Sequence, residues 1–491
     1  CRMKRIPTQA ARSEMLTRRT KIVATLGPAT DTPGVLEEVI RAGADVLRVN
    51  FSHGGPADHR RRVERARQAA ESVGKHIALL GDLQGPKIRI ERFAGGRTVL
   101  TEGAAFTLDP ALDTHDGTDR SVGMTYAQLA QDVAPGDELI LGDGQIELVV
   151  TAIHGDKVEC RVLVGGELGD QKGINRRGGG LSAKALTDKD REDVKLAASL
   201  DIDYLAVSFV RQAADIDEAR SLLSAAGSDA RIVAKIERSE AIPRLDEIVQ
   251  ASDAVMVARG DLGIEVGYAE LTGLQKHILQ VARKHDRVTI TATQMMESMI
   301  QSPVPTRAEV SDVANAVLDG SDAVMLSGES AVGKYPVRAV EAMSEVIVGA
   351  EKYQIARNIR GERFEGRVSE FAQAIAHAVM YTANHMAVEA IVALTESGAT
   401  PLWMSRIRSD IPIFAFTRNE RTRRRVALYR GVYPIPFDIT HTDPAELYKA
   451  ISRELIERKF LRSGDEIILT LGEFSGVSGG TNTMKLLEVS A

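Results

Sequence analysis

The feature that most constrains the fold is a regular alternation of short β-branched apolar runs with amphipathic helical stretches. Such runs are typical of buried strands in a parallel sheet, and the stretches between them predict connecting helices. Eight such runs predict a (β/α)₈ barrel, in which functional side chains lie at the carboxyl ends of the strands. The runs are Lys21–Thr25, Val46–Asn50, Ile77–Asp82, Tyr204–Ser208, Ile232–Glu237, Ala254–Arg259, Thr289–Thr293 and Ala323–Leu326.

The long insert between the third and fourth runs has a different character. Leu139–Leu141, Ile146–Val150 and Val158–Val164 are β-rich and are separated by glycine–aspartate turns. This pattern predicts a small β-domain that emerges from the active face and acts as a lid. After about Tyr353 a helix-rich segment leads into a third, α/β unit. Its predicted strands are Ala390–Leu394, Ile413–Phe416 and Glu466–Leu471.

Composition narrows the function classes. A chain of 491 residues has room for about three domains at roughly 100–200 residues each. Its 62 lysines and arginines against 68 aspartates and glutamates argue against a dedicated nucleic-acid-binding protein. The apolar runs are too short for a membrane span. The two cysteines, Cys1 and Cys160, lie far apart, which favours a reducing compartment.

Residues 1–18 are rich in arginine and poor in acids, and they lack the apolar core of a secretory signal peptide. We expect a flexible tail before the first strand. An organellar address is the alternative.

Three charged residues stand at the ends of the fifth and sixth runs. Strand alternation places Lys235 and Glu237 on one face, and Asp261 follows the neighbouring strand. Two carboxylates with room for water suit Mg²⁺ or Mn²⁺. Lys235 beside them offers positive charge where a phosphoryl group or an enolate develops negative charge. The alternative is a structural Lys–Glu ion pair.

Other strand ends carry groups suited to anions. Arg48, Asn50 and Ser52 share one face of the second run, where an arginine fork fits phosphate. Asp82 ends the third run and joins the same set of oxygens. Thr293 ends the seventh run, where its hydroxyl can bind a substrate carboxylate or carry a proton through water. The alternative for Thr293 is a helix cap.

On these residues the sequence resembles the pyruvate kinase family from about Arg19 to the C-terminus. The segments that carry the resemblance are Thr20 to Ala29, Arg48 to Gly54, Ala258 to Glu265, and Ala292 to Leu326. The resemblance implies transfer of the phosphoryl group of phosphoenolpyruvate to ADP, which gives pyruvate and ATP in the last step of glycolysis. It also implies a cytoplasmic homotetramer with no nucleic-acid or membrane partner.

The resemblance also implies three domains. They are a (β/α)₈ catalytic A domain over 19–85 and 185–352, a β-barrel B domain that forms the lid over 86–184, and a regulatory α/β C domain over 353–491. The N-terminal tail covers 1–18.

Site residues follow from the resemblance, position by position. The catalytic residues are Lys235, Thr293 and Arg48, and the substrate is bound by Arg48, Lys235, Gly260, Asp261 and Thr293. The nucleotide is bound by Asn50, His53, Arg89 and Lys172, and Mg²⁺ or Mn²⁺ is bound by Glu237 and Asp261. Lid closure is expected to bring Arg89 and Lys172 over the nucleotide and to exclude water.

The monovalent-cation site departs from the potassium-activated members of the family. Those members typically have Thr-Lys-Gly-Pro-Glu where this chain reads Leu83-Gln84-Gly85-Pro86-Lys87. The glutamate there is linked to a K⁺ site formed by residues that match Asn50, Ser52 and Asp82. An ammonium at Lys87 supplies the charge that K⁺ brings, so we expect activity without K⁺.

The last unit contains a loop suited to phosphate. Small and hydroxyl residues precede a helix that begins near Pro401, which favours an anion nest. The resemblance implies an allosteric site for a phosphorylated metabolite, formed by Thr395, Ser397, Gly398 and Thr400 and faced by a loop over 476–480. Because the segment 473–475 lacks the Trp/Arg pattern of members activated by fructose bisphosphate, we expect a monophosphate activator.

Two rival functions remain open at this point. A barrel lyase that acts on a metal-bound pyruvate enolate shares the two carboxylates and an arginine. It needs neither a nucleotide lid nor Lys235 beside the metal. A catalytically inactive phosphosugar sensor is the second rival, and the intact set of candidate residues argues against it.

Overall fold

The computed structural model describes residues 18–142, 144–356, 368, 370–438, 444–472 and 479–490. The loop over 473–478 and most of the N-terminal tail therefore lie outside the described residues. In the described part, the strands are β1 (Lys21–Thr25), β2 (Val46–Asn50), β3 (Ala78–Asp82), β4 (Arg97–Leu100), β5 (Ala105–Leu108), β6 (Ser121–Val122), β7 (Glu138–Leu141), β8 (Ile146–His154), β9 (Lys157–Val164), β10 (Gly166–Gly169), β11 (Ile174–Arg176), β12 (Tyr204–Val207), β13 (Arg231–Ile236), β14 (Ala254–Ala258), β15 (Val288–Ala292), β16 (Ala323–Leu326), β17 (Ala390–Leu394), β18 (Ile413–Thr417), β19 (Val432–Pro436), β20 (Glu466–Gly472) and β21 (Thr481–Glu488).

The α-helices of the described part are α1 (Val35–Ala42), α2 (Pro56–Val73), α3 (Leu129–Asp132), α4 (Asp188–Ser199), α5 (Ala213–Ala225), α6 (Leu245–Ala251), α7 (Arg259–Val266), α8 (Tyr268–Lys284), α9 (Arg307–Asp319), α10 (Gly328–Ala331), α11 (Pro336–Ala356), α12 (Phe371–His385), α13 (Ala399–Arg406), α14 (Glu420–Val426) and α15 (Pro444–Glu457). Short 3-10 helices cover Pro28–Asp31, Ser239–Arg244 and Glu297–Ile300. None of the helices in the described part is long and apolar enough to cross a membrane.

Eight of these strands close into a parallel barrel in the order β1-β16-β15-β14-β13-β12-β3-β2. Strands β1, β3, β12, β14, β15 and β16 are buried at every residue, because helices cover the outside and side chains fill the inside. All eight predicted runs correspond to barrel strands, so the predicted fold class is confirmed.

The insert between β3 and β12 is confirmed as β structure. It contains a six-stranded sheet in the order β11-β7-β8-β9-β5-β6 and a two-stranded sheet of β10 and β4. Sequence patterning missed β4, β5, β6, β10 and β11. These strands are two to four residues long, which is too short for alternation to be read. Their apolar side chains join one core with those of β7, β8 and β9.

The C-terminal sheet has five strands in the order β19-β18-β17-β20-β21. Strands β17, β18 and β20 agree with the prediction, and β20 pairs antiparallel with the edge strand β21. Strand β21 is only partly buried and carries polar residues. It therefore lacks the continuous apolar run from which the other strands were predicted. The predicted domain boundaries stay predictions.

By packing, the chain divides into two compact units. One comprises Asn50–Arg60 and Gly81–Gln294, and the other comprises Cys1–Val49, Arg61–Leu80 and Met295–Ala491 as far as they are described. We name these the 81–294 unit and the 295–491 unit.

Buried hydrogen bonds of charged side chains tie β1 and the residues before it to the C-terminal sheet and to α11 inside the 295–491 unit. Lys21 Nζ donates to the carbonyl of Val432 (2.7 Å), and burial lowers the pKa of Lys21 to about 8. The buried carboxylate of Glu351 accepts from the backbone N–H groups of Arg19 (2.9 Å) and Thr20 (2.8 Å). These hydrogen bonds satisfy polar groups that would otherwise be costly to bury.

His76, just before β3, makes the free energy of unfolding of this unit depend on pH. Burial, together with the positive charges of Arg423 and Arg458 and against the weaker opposing effect of Glu420, lowers the pKa of His76 to about 4. The unfolded chain therefore binds a proton between pH 6.5 and 4 that the folded chain does not, so stability falls as the pH falls through this window. We expect acidification from pH 7.5 to pH 5 to lower the free energy of unfolding of the wild type by about 1 kcal/mol more than that of His76→Gln. This figure allows for the partial exposure of His76.

Urea unfolding of the wild type and the variant at both pH values measures this difference. His154→Gln, at an exposed ring of the insert, is the matched control. A His76 variant that loses as much stability as the wild type on acidification would contradict the prediction.

Candidate active site

Lys235 is the centre of the candidate site in the 81–294 unit. It lies near the carboxyl end of β13 and is only 9% exposed. Its Nζ lies 2.9 Å from Glu237 Oε1 and 3.2 Å from Asp82 Oδ1, and it donates to Ser208 Oγ at 2.7 Å. One cation thus pairs with two buried carboxylates, which would be very costly to bury without it, and leaves one net negative charge among the three groups.

Ser208 was missed by the sequence analysis. It follows β12, and its hydroxyl donates to the carbonyl of Leu83 (2.8 Å) while it accepts from Lys235. Its position at the end of a barrel strand was the signal that could have identified it.

Glu237 is held rigidly. Its side chain is 2% exposed, and Oε2 accepts from the backbone N–H of Phe209 (2.7 Å). Phe209 adopts φ 56°, a left-handed conformation that is costly for a bulky residue. The hydrogen bond to Glu237 therefore helps to stabilise the strained turn after β12.

Asp261 lies in the first turn of α7, directly after β14. Because Ile236 pairs with Val257 in the register of β13 and β14, Glu237 and the start of α7 lie at the same end of adjacent strands. No group of three or more His, Cys, Asp or Glu side chains in the described residues is arranged to hold a metal. The predicted pair of carboxylates fits a divalent cation that keeps water and substrate oxygens as its other ligands, as Mg²⁺ commonly does.

Thr293 contacts Gly260 from the neighbouring strand end. Its Oγ1 accepts from the backbone N–H of Gly260 (2.7 Å) and donates to the carbonyl of Ala292 (2.6 Å). Thr293 does not cap the helix that follows it, because the N-cap of that 3-10 helix is Met296; its hydroxyl instead accepts an N–H from the first turn of α7. The structure thus brings together Gly260 and Thr293, two of the residues predicted to bind the substrate, at the N-terminus of α7, where N–H groups favour an anion.

Two of the four predicted nucleotide residues, Arg89 and Lys172, lie on adjacent segments of the insert. Ile90 N donates to the carbonyl of Lys172 (2.9 Å), and Arg89 forms a β-bridge with Gly173. These contacts bring the backbones of Arg89 and Lys172 side by side. His53, the other loop residue predicted for this role, is exposed.

The segment after β2 lies against the end of β3. Asn50 Oδ1 accepts from Ser52 N (3.0 Å), and Phe51 N donates to the carbonyl of Asp82 (3.0 Å). The sequence pattern did not indicate a role for Lys189, whose Nζ donates to the carbonyl of Phe51 at 2.8 Å.

Lys87 is exposed. Partial burial lowers its pKa, and the positive charges of Arg89 and Lys189 lower it further. The structure thus places Lys87 in a cationic neighbourhood.

Arg48 belongs to the 295–491 unit, where β1 holds it. Its Nη1 donates to Thr25 Oγ1 (3.1 Å), and that hydroxyl donates to the carbonyl of Leu326 (2.8 Å). Thr25 thus fixes the guanidinium at the carboxyl ends of the strands.

The candidate effector loop precedes α13. Gly398 has φ 83°, a left-handed conformation that favours glycine, and its N–H donates to Thr395 Oγ1 (3.0 Å). Thr400 is buried and shares a hydrogen bond with Thr481 (2.8 Å). Arg418, which the sequence analysis missed, reaches the loop and lies 3.5 Å from Glu396. The facing residues over 473–478 lie outside the described part of the chain.

Comparison with known proteins agrees with this architecture. The family model for "Pyruvate kinase, barrel domain" matches residues 17–340, and that for "Pyruvate kinase, alpha/beta domain" matches residues 373–487. The chain belongs to the pyruvate kinase family.

Full-length relatives support the same assignment. Pyruvate kinase II of Salmonella typhimurium is 52% identical over 476 residues, which cover 96% of this chain and 99% of the relative. The pyruvate kinase of Haemophilus influenzae is 51% identical over 459 residues, covering 93% and 96%. That of Mycobacterium tuberculosis strain H37Rv is 41% identical over 477 residues, covering 95% and 98%.

These findings confirm the predicted family and enzyme class. Pyruvate kinases are phosphotransferases, so the match favours phosphoryl transfer over the lyase alternative.

Proposed function

We propose that this chain transfers the phosphoryl group of phosphoenolpyruvate to ADP, giving pyruvate and ATP as the last step of glycolysis. The observation that carries the proposal is the buried Lys235 between Asp82, Glu237 and Ser208 at the carboxyl end of the barrel. A fixed cation beside two carboxylates suits phosphoryl transfer, which needs positioning and charge neutralisation more than covalent chemistry.

The substrate is bound through its anionic groups. Arg48 binds the phosphate, and the N–H groups at the start of α7 bind the carboxylate together with the Thr293 hydroxyl. Lys235 faces the oxygen that becomes the enolate as the bond to phosphorus breaks. The enolate then takes a proton at carbon to give pyruvate, and the Thr293 hydroxyl lies on the proton path through water.

Glu237 and Asp261 would hold Mg²⁺ or Mn²⁺. When bound, the cation neutralises phosphoryl charge. In this structure the single positive charge of Lys235 faces both Asp82 and Glu237, and the negative charge that remains suits a divalent cation.

The nucleotide is bound by Asn50, His53, Arg89 and Lys172, and the insert over 86–184 closes over it as a lid. The return connection of the insert supports this motion. Gly178, Gly179 and Gly180 all have left-handed backbones (φ 78°, 77° and 95°), and a Cβ at Gly179 would clash with Ser239 Oγ. Successive glycines give this connection the backbone freedom that lid closure would require.

We further propose a cytoplasmic homotetramer with the A, B and C domains bounded as above, and a monophosphate activator at Thr395, Ser397, Gly398 and Thr400. The left-handed Gly398 and the nearby Arg418 support an anion site in this loop. The test is the phosphoenolpyruvate saturation curve across a panel of sugar monophosphates and AMP. An unmoved curve would contradict the effector proposal.

The coupled assay for ATP formation from phosphoenolpyruvate and ADP tests the function itself. A wild-type enzyme that forms no ATP under any cation condition would contradict the proposed reaction and favour the inactive sensor.

Lys87 is proposed to replace K⁺ near Asn50, Ser52 and Asp82. We expect full activity in buffer whose only monovalent cations are organic, because a covalently attached ammonium needs no binding equilibrium. Lys87→Glu is expected to create a K⁺ requirement, so that K⁺ raises the activity of the variant on the order of tenfold. This factor corresponds to the loss of one charge contact of about 1.4 kcal/mol.

Lys195→Glu is the matched control for this charge reversal. Lys195 is an exposed lysine of α4 in the same unit, paired with Glu192. A strict K⁺ requirement in the wild type, or a Lys87 variant that ignores K⁺, would refute the role of Lys87.

A further inference from the structure

Arg259 stands where local rules disfavour an arginine. It is the first residue of α7 and is only 7% exposed. A cation at a helix N-terminus opposes the helix dipole, and burial of a charge is costly. A conflict of this kind often marks a functional position.

The guanidinium of Arg259 donates hydrogen bonds to the backbone at the end of β15. Its Nη2 donates to the carbonyl of Thr293 (2.8 Å), and its Nε donates to the carbonyl of Ala292 (3.3 Å). Its Nη1 lies 3.4 Å from Oε1 of the buried Gln275 on α8, which anchors the fork from the opposite side. The two carbonyls belong to the peptides on either side of Thr293.

That backbone is strained. Thr293 has φ 69° and Gln294 has φ 53°, so two successive non-glycine residues occupy the left-handed region. A β-branched residue is a particularly costly occupant of this region. Without an external restraint, Thr293 would relax and its hydroxyl would leave the N–H of Gly260.

We propose that Arg259 is a positioning residue that holds Thr293 in its left-handed conformation and thereby sets the substrate-carboxylate site. This inference rests on the proposed role of Thr293 and Gly260. Arg259 acts through Thr293 and contacts neither the substrate nor the cation. Its loss should affect phosphoenolpyruvate and leave ADP binding unchanged.

A double-mutant cycle with Arg259→Met and Thr293→Val tests the coupling. We expect Arg259→Met to lower kcat/KM for phosphoenolpyruvate by roughly 10²-fold, the cost of about 1 Å of misplacement, with KM for ADP unchanged. In the Thr293→Val background the same substitution is expected to cost less than about threefold, because the group it positions is already gone. Arg259→Lys, which keeps the charge and part of the donor set, is expected to recover part of the loss.

Arg287→Met is the matched control. Arg287 lies in the same unit and likewise donates to two successive carbonyls, those of Val249 (3.2 Å) and Gln250 (2.9 Å), away from the candidate site. We expect this variant to lose stability with unchanged KM values.

Several outcomes would overturn the inference. If Arg259→Met lowers kcat/KM for phosphoenolpyruvate equally in the wild-type and Thr293→Val backgrounds, Arg259 does not act through Thr293. A change in KM for ADP as large as that for phosphoenolpyruvate would show the same. If Arg259→Met does not fold, Arg259→Lys takes its place in the same cycle. A wild-type enzyme without ATP formation would instead refute the proposed function, and wild-type kinetics in Thr293→Val would refute the role assigned to Thr293.

Discussion

Replacement of Lys235 by methionine is expected to lower kcat for ATP formation by roughly 10³-fold or more, the scale on which a cation at a transferring phosphoryl group contributes. Lys235 Nζ lies within 3.2 Å of Asp82 and 2.9 Å of Glu237, so its loss removes the positive charge from the site. Steady-state kinetics at saturating phosphoenolpyruvate and ADP measure the effect.

The same substitution leaves two carboxylates buried together without a cation, which typically costs about 3–5 kcal/mol of stability. Lys235→Arg keeps a positive charge between Asp82 and Glu237 and separates folding from catalysis. We expect it to fold and still to lose at least about 10²-fold in kcat, because a planar guanidinium cannot reproduce the point charge of an ammonium.

Lys21→Met is the matched control for a buried lysine. Lys21 is buried in the other unit, where it donates to a carbonyl, and its loss is expected to lower stability and leave kcat of the folded enzyme unchanged. Near-normal turnover of folded Lys235→Met would overturn the role assigned to Lys235.

Glu237→Gln is expected to raise the concentration of Mg²⁺ needed for half-maximal activity by at least tenfold and to lower kcat/KM by roughly 10²-fold. Glutamine can still accept the N–H of Phe209, so the strained turn after β12 keeps its hydrogen bond, while the ligand loses its charge. Titration of activity with Mg²⁺ and Mn²⁺ measures the change.

Glu351→Gln serves as the comparison, since Glu351 is also a buried carboxylate that accepts backbone N–H groups but lies in the other unit. It is expected to destabilise the protein without altering the metal titration. If Glu237→Gln has the metal dependence of the wild type, Glu237 is not a metal ligand.

The sequence predicted the barrel strands because each is a short apolar run that is buried on both faces. It also predicted that Lys235, Glu237, Asp261 and Thr293 lie at one end of the barrel, since parallel strands present their carboxyl ends together. The short strands of the insert and the edge strand β21 escaped prediction because their apolar residues are few and their pairing partners are distant in sequence.

Much of the detail of the site depends on contacts between segments far apart in the chain. Ser208, which follows β12, contacts Lys235 on the adjacent strand β13. Arg259, which follows β14, contacts the backbone of Thr293, which follows the adjacent strand β15. The hydrophobic periodicity of the sequence cannot predict such contacts. The left-handed backbones of Phe209 and Thr293 are also contrary to the conformational preference of these residue types.

The sequence by itself determined the fold class, and it predicted the order of the domains and the strand ends that carry the candidate site. Local patterning suffices for these, because burial dictates which residues face the core and the parallel barrel gathers all strand ends on one face. Only the tertiary structure decided which oxygens share the Lys235 ammonium and which guanidinium restrains Thr293. Those choices depend on distances between segments that meet only when the barrel closes.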